Sequence, residues 1–123
     1  MVRMWCVPFN ILKFPRDVGE HHEIHSAMTV LTKIRLGIKG GYQHFPPILR
    51  FVGHEGMLIS RHREQVEEFK NRGYPSGFNH PSPVPTKFLE LFEVEDYVYS
   101  KEEYDRDVEV LLSRGGIDVK EKT

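Results

Sequence analysis

The sequence predicts an all-α protein, with a compact single-domain helical fold and long irregular connections. Apolar residues recur at helical spacing in several segments, capping residues mark the ends of those segments, and the stretches between them are rich in Gly and Pro. A chain of 123 residues can build one hydrophobic core but not two independent ones. We therefore expect a single domain over residues 1–123.

The first predicted helix covers about residues 17–36. Asp17 with Glu20 fits a capping box, and Gly37 fits a C-terminal stop. Apolar residues recur between these ends at Ile24, Ala27, Met28, Leu31 and Ile34. At about 100° per residue, Glu20 lies on the apolar side and Glu23 on its edge. Glu20 is then a reactive carboxylate or a structural one, bonded to the first helix amides or to an arginine, and Glu23 is the better placed carboxylate for a surface pocket.

The middle of the chain predicts one further long helix between irregular segments. Residues 37–58 contain seven Gly and Pro residues, so we expect an irregular connection with a short helix near 48–52. Ser60 is the predicted N-cap of a helix that runs through Arg72. Residues 74–85, rich in Pro and Gly, cannot continue that helix.

The C-terminal part predicts two more helices. Thr86 fits the N-cap of a short helix whose apolar face ends at Phe92. Ser100 with Glu103 fits a capping box for a last helix through Ser113. Residues 94–99 between these helices suit either a helical or an extended conformation.

The formal net charge of −1 conceals an uneven distribution. Residues 1–85 hold 11 Lys and Arg against 7 Asp and Glu, together with all seven histidines, whereas residues 86–123 hold 6 against 11. A basic part attracts an anionic ligand while an acidic part faces elsewhere. Ordinary surface variation gives the same numbers, so charge alone does not decide between these two interpretations.

Composition excludes several classes of protein. With 39% hydrophobic and 28% charged residues, the chain has no apolar run near the roughly 20 residues that span a bilayer, and its start does not fit a signal peptide. These features predict an intracellular protein without a membrane partner. Cys6 is the one cysteine, so no internal disulfide forms, and we interpret it as a small buried hydrophobe.

Two features together indicate amine chemistry. Val2 is small enough to permit removal of Met1, which leaves an α-amine with a pKa of about 7.7 to 8.0, and a fraction of that amine is neutral near pH 7. The cluster Gly19-Glu20-His21-His22-Glu23-Ile24-His25 supplies carboxylates about twenty residues later. An amine can attack an electrophilic carbon, and a nearby glutamate can accept and donate protons in the steps that follow.

The histidines allow a different class of enzyme. His21 and His25 stand at i and i+4 and can bind one metal ion, with His54, His62 or His80 and Glu23 completing the ligand set. That arrangement would suit a metal-dependent phosphodiesterase or nuclease. Taken singly, each histidine more often forms hydrogen bonds in a partly buried seam.

Several short motifs then coincide in order and spacing. They are Val2-Arg3, Gly19-Glu20-His21 with Glu23 and His25, Gly41-Tyr42, Ser60-Arg61-His62 leading to Glu67-Glu68, Arg72-Gly73-Tyr74 and Asn79-His80-Pro81-Ser82-Pro83. This pattern resembles the pyrimidine-dimer DNA glycosylase family of phage endonuclease V type, and most closely its bacterial-type branch. The resemblance covers roughly residues 1–85, and residues 86–123 form an acidic helical C-terminal extension.

The resemblance implies a compact helical enzyme of the endonuclease V type that acts on double-stranded damaged DNA as a monomer, in the cytoplasm or at the nucleoid. It implies excision of cyclobutane pyrimidine dimers and an associated abasic-site β-lyase activity, without metal or other cofactor. The implied nucleophile is the α-amine of Val2, and the implied catalytic carboxylate is Glu23. Arg3 would hold a phosphate or the lesion beside that amine.

The resemblance and the basic character of residues 1–85 also predict the surface that contacts DNA. Phosphate contacts would provide most of the affinity. The predicted DNA-binding residues are Arg3, Arg16, His21, His22, His25, Arg61, His62 and Arg63. Stacking of a displaced base on Trp5, Tyr42 or Phe45 is a further possibility, although core packing is the commoner use of aromatic side chains.

The sequence also departs from the phage-type pattern. Val2 replaces a threonine, which preserves the amine and loses a hydroxyl, while Arg16 stands in place of a histidine and His22 in place of an arginine. The tail is acidic where the phage-type tail is basic and aromatic. A third alternative is therefore a noncatalytic DNA-binding module of the same fold.

Overall fold

The computed structural model of the protein describes residues 4–75 and 83–117, and this part of the chain is helical. A short 3-10 helix covers Phe9–Ile11. The α-helices of the described residues are α1 (Arg16–Leu36), α2 (Pro46–Leu49), α3 (Gly56–Asn71), α4 (Thr86–Leu91) and α5 (Lys101–Ser113). The prediction of an all-α fold is confirmed.

Helix α1 matches its predicted length, but it begins differently from the prediction. The N-cap residue is Pro15, which provides no side-chain hydrogen bond, and the carboxylates of Asp17 and Glu20 are completely buried. The predicted capping box is therefore wrong, because both acidic side chains bind partners in other parts of the fold. The C-terminal end is as expected: Gly37 adopts φ 73°, a left-handed conformation that suits glycine.

Helix α3 begins at Gly56, one turn before the predicted cap at Ser60. The Ser60 hydroxyl lies inside the helix and donates to the Glu95 carbonyl oxygen at 2.6 Å. The Gly56 carbonyl accepts from the Glu95 amide at 3.1 Å, and a Cβ on Gly56 would lie 1.7 Å from the Glu93 carbonyl oxygen. The non-helical segment 93–99 therefore packs directly on the first turn of α3, where only glycine leaves enough room.

The C-terminal helices follow the sequence closely. The Ser100 and Glu103 capping box is present, with the Glu103 amide donating to Ser100 Oγ at 3.1 Å and the Ser100 amide donating to Glu103 Oε1 at 3.0 Å. Thr86 is the first residue of α4 and Pro85 is its cap, one residue from the prediction. The short helix predicted at 48–52 lies slightly earlier, at Pro46–Leu49.

Helix α1 is the centre of the described fold and packs against α2, α3 and α4. One apolar cluster joins these four helices and includes Met4 from the N-terminal segment. A second cluster joins residues 5–12 to Phe69 of α3 and to Val108 and Leu111 of α5. Both the basic and the acidic parts of the chain thus contribute to the core.

No helix among residues 4–75 and 83–117 combines the length and apolar character that crossing a bilayer requires. Cys6 is 3% exposed, as expected for a small buried hydrophobe, and burial raises the pKa of its thiol to about 12.

Candidate active site

The Glu20 carboxylate is fully engaged by hydrogen bonds in the protein interior. Its Oε1 accepts from Arg61 Nε at 2.5 Å and from Gln65 Nε2 at 3.0 Å. Its Oε2 accepts from Arg61 Nη2 at 3.1 Å and from the Trp5 amide at 3.0 Å. Of the alternatives for Glu20, the structural carboxylate paired with an arginine is therefore the one observed.

The same network fixes the backbone of the N-terminal segment. The Trp5 carbonyl accepts from Arg61 Nη2 at 3.0 Å and from the Tyr97 hydroxyl at 3.3 Å. The Cys6 amide donates to Asp107 Oδ2 at 2.8 Å. Residues 5 and 6 are thus held by side chains from α1, α3, α5 and the 93–99 segment.

Glu23 has a different environment from Glu20, although both belong to α1. Its side chain is only partly buried, and its Oε1 is shielded from solvent with no hydrogen-bond partner among the described residues. Burial raises the pKa of the Glu23 carboxyl above its usual value. The nearby charge of His22 offsets part of this effect. A carboxylate with a raised pKa and an oxygen without a hydrogen-bond partner in the described residues is suited to exchange protons with a ligand.

Three histidine side chains from α1 and α3 meet beside this network. The ring centroids of His21, His25 and His62 lie 4.8 to 5.1 Å apart, and the Nε2 atoms of His25 and His62 are separated by 3.2 Å. His21 Nδ1 lies 2.8 Å from Gln65 Oε1. Burial lowers the pKa of His21 to about 4 and lowers that of His25, so both rings are neutral near pH 7.

The predicted DNA contacts divide into exposed and buried residues. His22 on α1 and Arg63 on α3 are exposed, whereas Arg16 is half-buried against Gly116 and Leu111. Arg61 is 1% exposed and its guanidinium is committed to Glu20 and Trp5, so the prediction of a surface contact to DNA phosphate does not fit this residue. His21 and His62 are likewise buried, at 5% and 3% exposure.

An open groove of about 530 Å³ runs along the exposed side of α3. His62, Arg63 and Glu67 supply its polar lining, and Pro83, Val84 and Leu89 close its opposite wall. Glu23 does not line this groove, so the groove and the candidate catalytic carboxylate are separate features of the described surface.

A family profile described as pyrimidine dimer DNA glycosylase matches residues 2–81. The chain belongs to this family. The match covers the N-terminal segment, α1, α2 and α3, which are the elements that carry Glu23 and the histidine cluster. No protein of curated function and no solved structure shows significant similarity to the chain. Family membership identifies DNA as the substrate and pyrimidine dimer glycosylase as the class of activity.

Three residues of the predicted sites lie outside the described part of the chain. They are the predicted nucleophile Val2, its neighbour Arg3, and the alternative metal ligand His80. His54, another alternative ligand, is exposed and contacts Glu95 rather than the other histidines, with 2.9 Å between Nδ1 and Oε1.

The aromatic residues considered for base stacking in this glycosylase also divide by exposure. Trp5 is 4% exposed and belongs to the second apolar cluster, so core packing is its observed use. Tyr42 is 61% exposed, adopts φ 64°, and its ring lies 5.9 Å from that of the partly buried Phe45. Tyr42 is therefore the aromatic side chain of the three that is available to a nucleobase.

Sequence reasoning missed Gln65, which links Glu20 to His21. A signal was present, because Arg61, Gln65 and Phe69 follow each other at intervals of four residues on one face of α3. It also missed Asp17, whose buried carboxylate accepts from Arg72 Nη1 at 2.6 Å and from the Tyr74 hydroxyl. The Arg72-Gly73-Tyr74 motif thus ties the start of α1 to the end of α3.

Proposed function

We propose that this chain excises cyclobutane pyrimidine dimers from double-stranded DNA and then cleaves the abasic sugar by β-elimination, acting as a monomer without a cofactor in its chemistry. The observation that carries this proposal, beyond family membership, is the contrast between two carboxylates on α1. Glu20 is completely hydrogen-bonded, whereas Glu23 retains a shielded oxygen with no partner in the described residues. Glu23 is therefore the carboxylate that is free to act on a bound sugar.

The chemistry begins with the α-amine of Val2 after removal of Met1. Its nitrogen attacks C1′ of the damaged nucleotide, and the bond between C1′ and the base breaks with its electron pair leaving on the base. Nitrogen loses a proton, and its lone pair then forms the C1′–N double bond as the C1′–O4′ bond breaks. The electron pair of that bond leaves on O4′, which takes up the proton, and a protonated imine results at C1′. The Glu23 carboxylate then removes a proton from C2′, the electrons move to form a C1′–C2′ enamine, and elimination breaks the C3′–O bond with release of the phosphate.

The anchored N-terminal segment supports this assignment. Trp5 and Cys6 each donate a backbone amide to a buried carboxylate, Glu20 or Asp107. Val2 precedes Met4 by two residues, and successive Cα atoms are about 3.8 Å apart. Because Trp5 is held at Glu20 of α1, the short chain between Trp5 and Val2 limits how far the Val2 amine can lie from the helix that carries Glu23.

Exposed cations of α1 and α3 provide the attraction to the DNA backbone in this proposal. Arg63 is exposed on α3, and cationic side chains follow toward and beyond the C-terminal end of α1 at Lys33, Arg35 and Lys39, while the exposed His22 ring can form a hydrogen bond with a phosphate. Contacts to phosphates give affinity that is independent of sequence and falls as salt rises. Selectivity for damage then comes from the lower cost of displacing a base whose pairing is already weakened.

The deciding experiment is borohydride trapping of the Met-processed protein on duplexes that contain a thymine dimer, an abasic site or no damage. We expect an adduct at Val2 with the first two duplexes and none with the third. Glu23→Gln should lower strand cleavage at least 100-fold while DNA binding stays within twofold, a loss consistent with removal of one acid-base group. Glu109→Gln, an exposed change on α5, is the matched control and should behave as wild type.

Three outcomes would contradict the proposal. Trapping only on abasic DNA would remove the glycosylase step, and binding of dimer DNA without any adduct would favour the noncatalytic module. Full cleavage by Glu23→Gln would exclude Glu23 from the reaction.

A further inference from the structure

Ring nitrogens of three histidines converge where α1 meets α3. The closest pair has the spacing of metal ligands, and a wider pair would close as the rings turn onto an ion. One ring nitrogen from each of His21, His25 and His62 can be chosen so that all three atoms lie within 4.8 Å of one another. Zinc binds imidazole at about 2.0–2.1 Å in tetrahedral geometry, which places two such nitrogens about 3.3 Å apart. The Nε2 atoms of His25 and His62 are separated by 3.2 Å.

The hydrogen-bond network determines which nitrogen of His21 faces the cluster as an acceptor. The Glu20 carboxylate accepts from Gln65 Nε2 at 3.0 Å, so the amide oxygen of Gln65 points the other way. That oxygen lies 2.8 Å from His21 Nδ1, so Nδ1 must carry the proton. Nε2 of His21 then holds a lone pair, and it is buried without a hydrogen-bond partner among the described residues.

A buried lone pair without a donor is costly for a folded protein, and a metal ion satisfies it. Metal-binding histidines usually donate their second ring N–H to a carboxylate or carbonyl, which fixes the orientation of the ring. Gln65 performs this task for His21 and is itself held by Glu20. The His21 ring is therefore oriented as a ligand and supported by a second layer of hydrogen bonds.

We propose that His21, His25 and His62 bind one divalent transition-metal ion of the zinc class, which bridges α1 and α3. Three imidazoles favour zinc, copper or nickel over magnesium or calcium, which prefer oxygen ligands. A solvent molecule fills the fourth position. The ion would hold α1, the helix that carries Glu23, against α3. This inference does not depend on the proposed glycosylase reaction.

The test is a zinc titration of the untagged full-length protein after removal of metal by a chelator, with a chromophoric competitor reporting free zinc. We expect one equivalent to bind. His25→Gln and His62→Gln should each weaken binding at least tenfold, and Gln65→Leu about tenfold, as loss of a supporting hydrogen bond does. The matched control is His22→Gln, because His22 lies on α1 but is exposed; its affinity should equal that of wild type.

A second measurement needs no variant. Cobalt(II) bound in place of zinc should give the intense visible absorption of a tetrahedral site, and zinc should shift the imidazole ¹⁵N signals of three of the seven histidines. Failure to bind one equivalent, an octahedral cobalt spectrum, or equal affinity in wild type, His25→Gln and His62→Gln would overturn the proposal. If a variant does not fold, the imidazole signals of the wild-type protein decide the question.

Discussion

Glu20 and Glu23 show how two carboxylates three residues apart come to lie in different environments. One is completely buried against a guanidinium and organises the N-terminal segment, while the other lies at the edge of the core with an oxygen unpaired among the described residues. The angular argument from the sequence already separated these positions, because a difference of three residues turns a side chain by about 60° around a helix. Helical position alone therefore predicted which of the two carboxylates would be the less buried.

The partners of Glu20 could not be predicted in the same way. Arginine is a residue type expected at a surface that contacts DNA. A single sequence does not show which helix packs against Arg61. Only the packing of α3 on α1 determines that Arg61 and Gln65 point inward. The histidine cluster was predictable in part: the sequence offered His54, His62 and His80 as partners of His21 and His25, and the packing of α3 on α1 brings His62 to them.

The Arg61 side chain should be essential for stability. Arg61→Ala would leave the Glu20 charge buried without its partner, and breaking such a pair costs about 3–5 kcal/mol. Urea unfolding measures this loss. Arg63→Ala, two residues along the same helix but exposed, should change the free energy of unfolding by less than about 0.5 kcal/mol. Equal effects of the two changes would contradict the role given to the buried pair.

The buried imidazole of His21 should make the protein sensitive to mild acid. Its pKa is about 4 in the folded protein and about 6.5 when unfolded, so the unfolded chain takes up the proton first as pH falls. The stabilising contribution is complete above pH 6.5 and is lost progressively as pH falls to about 4. Because water reaches the partly exposed His25 side and screens the charge, we expect a loss of about 2 kcal/mol rather than the full linkage value.

Urea unfolding of metal-free protein between pH 7 and 4 measures this loss. His21→Gln should flatten the pH dependence by that amount, while the exposed control His44→Gln should retain the wild-type profile. A wild-type slope in His21→Gln would exclude His21 as the source of the acid sensitivity.

At the scale of single elements, helix ends were predictable where local chemistry determines them. The capping box at Ser100 and the glycine stop at Gly37 appear as predicted, because both depend on neighbouring residues. The start of α3 was predicted wrongly. Ser60 has a good capping side chain, but the packing of segment 93–99 on Gly56 extends the helix by a turn and gives the Ser60 hydroxyl a distant acceptor.

The close approach at Gly56 predicts an unusual cost for a small substitution. Alanine in a helix is normally about 1 kcal/mol better than glycine. At Gly56 the added Cβ would meet the Glu93 carbonyl, so the backbone must move, and we expect Gly56→Ala to lower the free energy of unfolding by about 1–3 kcal/mol. Thermal and urea unfolding measure this change.

Gly41→Ala is the matched control for this close approach, because its Cβ would meet nothing within 4 Å. That variant should be neutral within about 0.5 kcal/mol. A stabilised Gly56→Ala variant would show that the contact with segment 93–99 is looser than described.

At the scale of the whole molecule, the described core includes residues beyond the C-terminal end of the family match. The profile ends at residue 81, whereas Phe88, Phe92, Val108 and Leu111 are buried in the two apolar clusters. The acidic part of the chain also supplies Asp107, which holds the Cys6 amide. The acidic part of the chain therefore belongs to the same packed core as the basic part.

A chain that ends at residue 85 should consequently fail to fold. Each large apolar side chain contributes about 1.5–3 kcal/mol when buried, and the five lost, which include Ile117, together approach or exceed the roughly 5–15 kcal/mol that stabilises a typical domain. Far-ultraviolet circular dichroism and urea unfolding would show a broad, noncooperative transition in place of a single one. A cooperative transition, with the helicity expected of α1, α2 and α3 alone, would show that residues 1–85 suffice on their own.

The Glu20–Arg61 pair also constrains how this sequence can change over generations. Replacing either residue alone strands a charge in the interior, at a cost comparable with the whole stability of many domains. Replacing both with well-packed apolar side chains is nearly neutral in comparable sites. The double mutant, however, arises through a single mutant that is unstable. Among descendants of a common ancestor, the residues at positions 20 and 61 should therefore both be conserved or both be replaced. Sequences in which only one of the two residues has changed should be absent.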